Sequence, residues 1–237
     1  MRVLIIQHSA DAPPGLLEPA LARAGLTWEV WHADGQAPEL EERPGYAGLV
    51  VLGGPMHAYD DRRCPHFPAL LALIRAYAAC GRPVLGLCLG AQLVARAFGG
   101  RVHLGEGGEF GVVALEPTAE AAEDPLLKGL PSPLHAMQWH DDRFTPPAGA
   151  VPLLRGRICP HQAFRIGFGV YAFQAHIEAT AAVAQAWIAL RRRLGGDEAE
   201  AVRVRRQLGA HPAREALGLE ILGRWARLVA ARAEIAG

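Results

Sequence analysis

PVLGLCLGAQLVARAFGG, residues 83–100, decides how the rest of the chain is read. Val84 to Leu87 is a short apolar run of the kind that forms a buried strand. The residues from Ala91 onward read as a helix closed by the glycine pair Gly99 and Gly100. Between them lies Gly86-Leu87-Cys88-Leu89-Gly90, a G-x-C-x-G corner with the form of a nucleophile elbow, cysteine standing where serine is usual. The glycines suit a sharp turn, where side chains beside the cysteine would collide with the strand and helix they join. Free amides and the positive end of the helix dipole at that corner favour the reactive thiolate. The competing reading is a buried cysteine packed as a small apolar residue. A nucleophile also needs a base and an oxyanion hole.

Outward from this corner, short apolar runs alternate with helical patterns, the signature of an α/β fold with a mostly parallel sheet flanked by helices. Val3 to Ile6, TWEVWHA (27–33) and YAGLVVLGG (46–54) read as strands. Leu16 to Ala24, and the stretch from Pro68 to its stop at Gly81, read as helices. After Arg101 the pattern turns to short strands, EFGVVALEP, HAMQWHDD and GVYAFQAH, expected to form a small antiparallel addition at the sheet edge. Beyond Thr180 the chain reads as helical almost to its end. Val183, Trp187, Leu190 and Leu194 recur at helical spacing, as do Leu217, Ile221, Trp225 and Leu228. The second stripe reads as core, with an oligomer contact as the alternative.

Composition narrows the function classes. Of 237 residues, 51% are hydrophobic and 20% charged, as in an ordinary globular protein. Basic and acidic residues number 24 each, and this neutral balance announces neither nucleic acid nor an anionic membrane. The arginine-rich stretches LRRRLGG and VRVRRQL are interleaved with Asp197, Glu198 and Glu200 and read as solvated helix faces. No run is long enough for a membrane span, and the N-terminal apolar run is too short for a signal-peptide core. Cys64, Cys80, Cys88 and Cys159 show no CxxC spacing, so neither a disulfide framework nor a zinc site is expected, and the reducing cytoplasm is the expected compartment. His8, His57, His66, His135, His140 and His161 form no HExxH or other tight ligand set. GEGGEFG (105–111) misses the dinucleotide-binding spacing, and no Walker loop is present.

A base appears in VYAFQAHIEAT, where His176 is followed two residues later by Glu178. Along an extended chain such residues share a side, which lets the carboxylate orient the imidazole and leaves its other nitrogen for the cysteine. Gly53-Gly54-Pro55 ends an apolar strand, and the N–H groups of Gly54 and Leu89 are candidates for an oxyanion hole.

Together GLCLGAQ, LGGP and FQAHIE resemble the class I glutamine amidotransferases. The nearest likeness is to stand-alone proteins similar to the glutaminase domain of GMP synthase. DPLLKGLP, QWHDD and CPHQAFRIG are similar to that subgroup, and the likeness runs from about Tyr46 to Glu178 with the N-terminal strand. It implies a Rossmann-like, flavodoxin-like fold, with residues 1–195 as the amidotransferase-like domain and 196–237 as a helical extension packed on it. It implies a Cys88–His176–Glu178 triad that hydrolyses the glutamine side-chain amide through a γ-glutamyl thioester, with no cofactor and no metal. By the same likeness Gly53, Gln92, Trp139, His140 and Asp141 contact the substrate, and GEFG (108–111) lines the pocket. The closing motif departs from the family's Q-F-H-P-E at Ala175 and Ile177, and Trp139 replaces a small residue. No SGGxDS loop is present, so the expected ammonia acceptor is a synthase on another chain. A free hydrolase of glutamine or another γ-glutamyl small molecule, and a non-catalytic binding or regulatory module, are the other readings.

Overall fold

A computed structural model of the chain describes residues 1–33 and 45–236, with side chains through 232. In its central sheet β1 (Arg2–Gln7), β2 (Thr27–His32), β3 (Tyr46–Val51), β4 (Val84–Leu87) and β11 (Val170–Phe173) run parallel in the order β2-β1-β3-β4-β11. Four strands continue it antiparallel in the order β10 (Ala163–Ile166), β9 (Val151–Arg155), β6 (Glu109–Pro117) and β7 (Leu134–His140). A separate antiparallel pair joins β5 (Arg101–His103) to β8 (Arg143–Thr145).

Parallel strands covered on both faces need apolar side chains in both directions. In β1, Val3 and Ile5 enter one core with α1 (Leu17–Arg23) and α6 (Arg214–Ala236). Leu4 and Ile6 enter the other, against α2 (Phe67–Ala79) and α3 (Leu89–Ala97). A third apolar cluster joins Val112 of β6 and Met137 of β7 to α4 (Ala181–Arg193) and α5 (Glu198–Ala210), through Trp187, Ile188 and Val204. Trp225 is wholly buried, so the α6 stripe is core; its innermost residues are Ile221, Leu222, Trp225, Ala226 and Val229. No helix among the described residues is long and apolar enough to cross a membrane.

The sheet corrects one sequence expectation. GVYAFQAH does not belong to the antiparallel addition: β11 pairs parallel with β4, Val170 opposite Val84 and Phe173 opposite Leu87. All four β11 residues are buried, which is what a strand inside a parallel sheet requires. The antiparallel part also contains β9 and β10, which carry no clear strand signal in the sequence. The first contains Pro152, and the pair is short with a register shift at Ala163/Phe164.

The tightest packing lies around the start of α3. A Cβ on Gly90 would stand 1.9 Å from the Val51 carbonyl oxygen, and one on Gly86 would stand 2.5 Å from the Gly90 carbonyl oxygen. Gly90→Ala is therefore expected to cost about 1–3 kcal/mol or more, as overpacking does. Gly209, in α5, has no atom within 4 Å of such a Cβ. Gly209→Ala is expected to gain about 0.5–1 kcal/mol from helix propensity. Urea midpoints of the two variants should move in opposite directions, and a shared direction would contradict this packing.

Candidate active site

Cys88 sits between β4 and α3 with φ +53° and ψ −111°, the only non-glycine among the described residues with positive φ. Backbone held in so sparsely populated a region costs about 1–3 kcal/mol, and only a surrounding structure that fixes it can retain it. Here the fixing is visible: the Cys88 N–H donates to the Phe173 carbonyl at 2.8 Å, and the glycine contacts at 86 and 90 leave α3 no room to shift. The thiol is almost fully buried, with its Sγ 3.7 Å from both the Trp139 carbonyl oxygen and Gln174 Nε2. The remaining described cysteines are not at comparable corners. Burial, and then the charge of Glu109, push the Cys159 thiol up to about 12. Burial also raises Cys64.

His176 reaches Cys88 because β11 lies beside β4. Its Nδ1 stands 2.6 Å from Glu178 Oε1, and both side chains are buried. The extended chain expected from the two-residue spacing is not what joins them. His176 forms an isolated bridge to Met137, its N–H donating to that carbonyl at 2.8 Å, and the chain then turns through Ile177 and Glu178. The bond forms across this turn. With Nδ1 engaged by the carboxylate, Nε2 is the nitrogen left for the sulfur. Gly53 backs both groups, since a Cβ there would stand 3.0 Å from His176 Cε1 and 3.4 Å from Cys88 Cβ. The Trp187 ring packs edge-on against the imidazole at 4.5 Å.

Burial alone would lower the His176 pKa. The charges of Glu178 and Cys88, and hydrogen bonds to both, outweigh it and raise the pKa well above the usual histidine value. A raised folded pKa means that protonation stabilises the fold. That contribution is complete below the unfolded value of about 6.5 and is lost as pH climbs through the folded one. The stability difference between the native chain and His176→Gln, from urea unfolding, should therefore shrink steadily as pH is raised above about 6.5. A constant difference would show that the fold does not favour the imidazolium.

Cys88, His176, Gly54, Leu89, Gln92, Trp139, His140 and Asp141 all border one cavity of about 250 Å³. Gly53 and Glu178 stand behind its wall. Leu89 is the first residue of α3, where an N–H has no acceptor within the helix, and Gly54 packs beside it, with room for a Cβ closed off by His8 at 2.9 Å. Gln92 spends its amide on the protein, donating to the Asp142 carbonyl at 3.2 Å and to Gln174 Oε1 at 3.3 Å. His140 is likewise tied down, Nδ1 to the Asp142 carbonyl and Nε2 to the buried Glu109. Both therefore shape the cavity floor and its backbone groups, while Asp141 is exposed at the rim. Contrary to expectation, GEFG does not line the cavity: Glu109 stands behind His140 and also accepts from Gln162 at 2.8 Å, and Gly111 packs under α5.

Several wall residues had no sequence signal that singled them out. Ser9, Asp11 and Ala12 come from the loop after β1. His57, on the loop after β3, pairs its Nδ1 with the buried Asp142 carboxylate at 2.6 Å. Trp187, Leu190, Arg191 and Leu194 roof the cavity from α4 and its end. Three of these four belong to the helical stripe read from the sequence, but the spacing could not show that it faces a cavity. No set of three or more His, Cys, Asp or Glu side chains able to hold a metal ion occurs among the described residues.

Residues 15–189 match the family model for glutamine amidotransferase class-I. A glutamine amidotransferase-like protein of Salmonella typhimurium is 31% identical over 186 residues, which cover 76% of this chain and 77% of the relative. One component of the glutamine-hydrolyzing GMP synthase of Pyrococcus abyssi is 37% identical over 135 residues, or 56% of this chain and 66% of that protein. A crystal structure of a glutamine amido transferase from Methylobacillus flagellatus superposes with a TM-score of 0.83 at 33% identity, over 94% of this chain and 93% of the other. A glutamine amidotransferase from Thermotoga maritima gives 0.80 at 25% identity, over 95% and 98%.

Proposed function

Because the chain belongs to the class-I glutamine amidotransferase family, we propose that Cys88, His176 and Glu178 act as a triad that hydrolyses the side-chain amide of glutamine. One observation carries this reading: a cysteine held in strained backbone at a strand–helix corner borders the same cavity as a buried histidine bonded to a carboxylate. With His176 protonated, the Cys88 sulfur carries the electron pair that attacks the amide carbon. The N–H groups of Gly54 and Leu89 receive the charge that develops on the amide oxygen. The imidazolium gives its proton to the departing nitrogen, ammonia leaves, and a γ-glutamyl thioester remains on Cys88. His176, now neutral, takes a proton from water as its oxygen attacks the thioester carbon. Glutamate is released and the thiolate–imidazolium pair returns. Glu178 holds the ring by its Nδ1–H and offsets its charge in both steps.

In this reading Gln92, Trp139, His140, Asp141 and Gly53 shape the end of the cavity that takes the amino-acid moiety. The ammonia passes to a synthase on another chain. The relatives whose names describe one component of a glutamine-hydrolyzing synthase support that assignment.

The test is glutamate release from glutamine, with and without a candidate synthase. Cys88→Ala should abolish it. Glu178→Gln should lower kcat by up to about 10⁴-fold, the loss expected when the carboxylate that orients a triad histidine becomes an amide. Turnover on γ-glutamyl peptides that exceeds turnover on glutamine would replace the ammonia-delivery reading with a free hydrolase. Cys88 alkylation no faster than that of exposed Cys80 would favour a non-catalytic module.

A further inference from the structure

The family model ends at residue 189, yet a later element touches the chain on both sides of Glu178. Helix α6 approaches so closely that a Cβ on Gly218 would lie 2.0 Å from the Ile177 carbonyl oxygen. One turn earlier, Arg214 Nη1 donates to the Ala179 carbonyl at 2.8 Å. Its Nη2 bonds Glu215 Oε1 at 3.3 Å, and the same carboxylate oxygen accepts the Ala181 N–H at 2.9 Å. From the opposite side the Leu16 N–H donates to the Glu178 carbonyl at 2.9 Å, beside Gly15, where a Cβ would stand 2.3 Å from that oxygen.

Two features show that these contacts do more than seat a helix. Arg214 has only 5% of its side chain exposed, and Nε has no hydrogen-bond partner among the described residues. A buried guanidinium is costly, and an apolar side chain would pack α6 without that penalty. The second lies in Glu178 itself. One carboxylate oxygen meets His176, and the other, Oε2, is buried with no partner among the described residues. Among the described residues no side chain outside the pair hydrogen-bonds this carboxylate, so its direction follows from where the backbone at 177–179 is held.

We propose that Arg214 and Gly218 are positioning residues for the His176–Glu178 pair, with the first turns of α6 serving as a strut that sets the aim of the Glu178 carboxylate. The proposal rests on the triad reading above. It makes α6 a working part of the site rather than an appended helix. A misplacement of about 1 Å in such a constellation costs up to about 10²-fold in rate.

The experiment compares Arg214→Met, Arg214→Lys, Gly218→Ala and Leu222→Ala with the full-length native chain and with Glu178→Gln. Leu222 is buried one turn beyond Gly218 on the same face, so its variant loosens α6 while leaving the Arg214 hydrogen bond and Gly218 unchanged. Two quantities are read: the pH dependence of Cys88 alkylation by iodoacetamide, and kcat against KM on glutamine. The Arg214→Met and Gly218→Ala proteins are expected to shift the alkylation profile towards that of Glu178→Gln. Their kcat should fall about 10-fold or more with KM within about twofold. Arg214→Lys, which keeps a donor for the Ala179 carbonyl, should recover part of the loss, and Leu222→Ala should leave the profile native. A native profile in Arg214→Met and Arg214→Lys, beside a shifted one in Glu178→Gln, overturns the strut while leaving the triad intact. A Glu178→Gln protein with a native profile overturns the triad and the strut together. A Leu222→Ala profile shifted as far as that of Arg214→Met shows general loosening and also overturns the strut.

Discussion

The whole site hangs on how closely α3 lies against β3 and β4. With backbone atoms of Gly90 and Val51 in direct contact, the turn at Cys88 has one conformation open to it, and that conformation is strained. The same closeness fixes the start of α3, so the Leu89 N–H, the sulfur and the helix dipole keep one relative geometry. Strain of this kind persists only when neighbours over-determine it. Here they are the two glycines on one side and the Phe173 carbonyl on the other.

The electrostatics follow from that geometry. A buried histidine with no charged neighbours would be neutral. His176 is instead held between a carboxylate and a cysteine, and the sum of these charges overcomes the cost of burial. A second imidazole–carboxylate bond of equal length joins the exposed His57 to the buried Asp142 at the cavity wall. The two bonds differ in what surrounds them: both His176 and Glu178 are removed from solvent, whereas over half of the His57 side chain is in it. Solvent at His57 screens that pair from one side, so the shared bond length does not confer a shared role.

Local signals made the corner legible in the sequence, because glycine spacing around a cysteine between strand and helix depends on nothing distant. The parallel strands β1, β3 and β4 were legible for the same reason, as unbroken apolar runs. The identities of His176 and Glu178 came from their order along the chain, but the turn that joins them did not, since His176 takes its place from a bridge to Met137. The run at β11 carried the apolar continuity of a parallel strand and was misplaced because its neighbours in sequence are antiparallel. For α4 and α6 the stripe showed which residues are apolar, and a stripe cannot say whether it faces a core or a cavity. Gly218 left one trace, a glycine inside a long helix, which propensity disfavours by about 1 kcal/mol unless something presses against it.

The central sheet divides its labour along its width. The cysteine and histidine come from the ends of adjacent parallel strands, while the Trp139–Asp142 segment follows from the far antiparallel edge, reached through β10, β9 and β6. That outer hairpin therefore acts on two things at once: the shape offered to a ligand and, through the Met137 and Trp139 carbonyls, the seats of His176 and Cys88. The margin of the sheet is thus not free to drift: a backbone shift in β7 is carried to His176, while a side-chain change that leaves the backbone in place alters only the cavity wall.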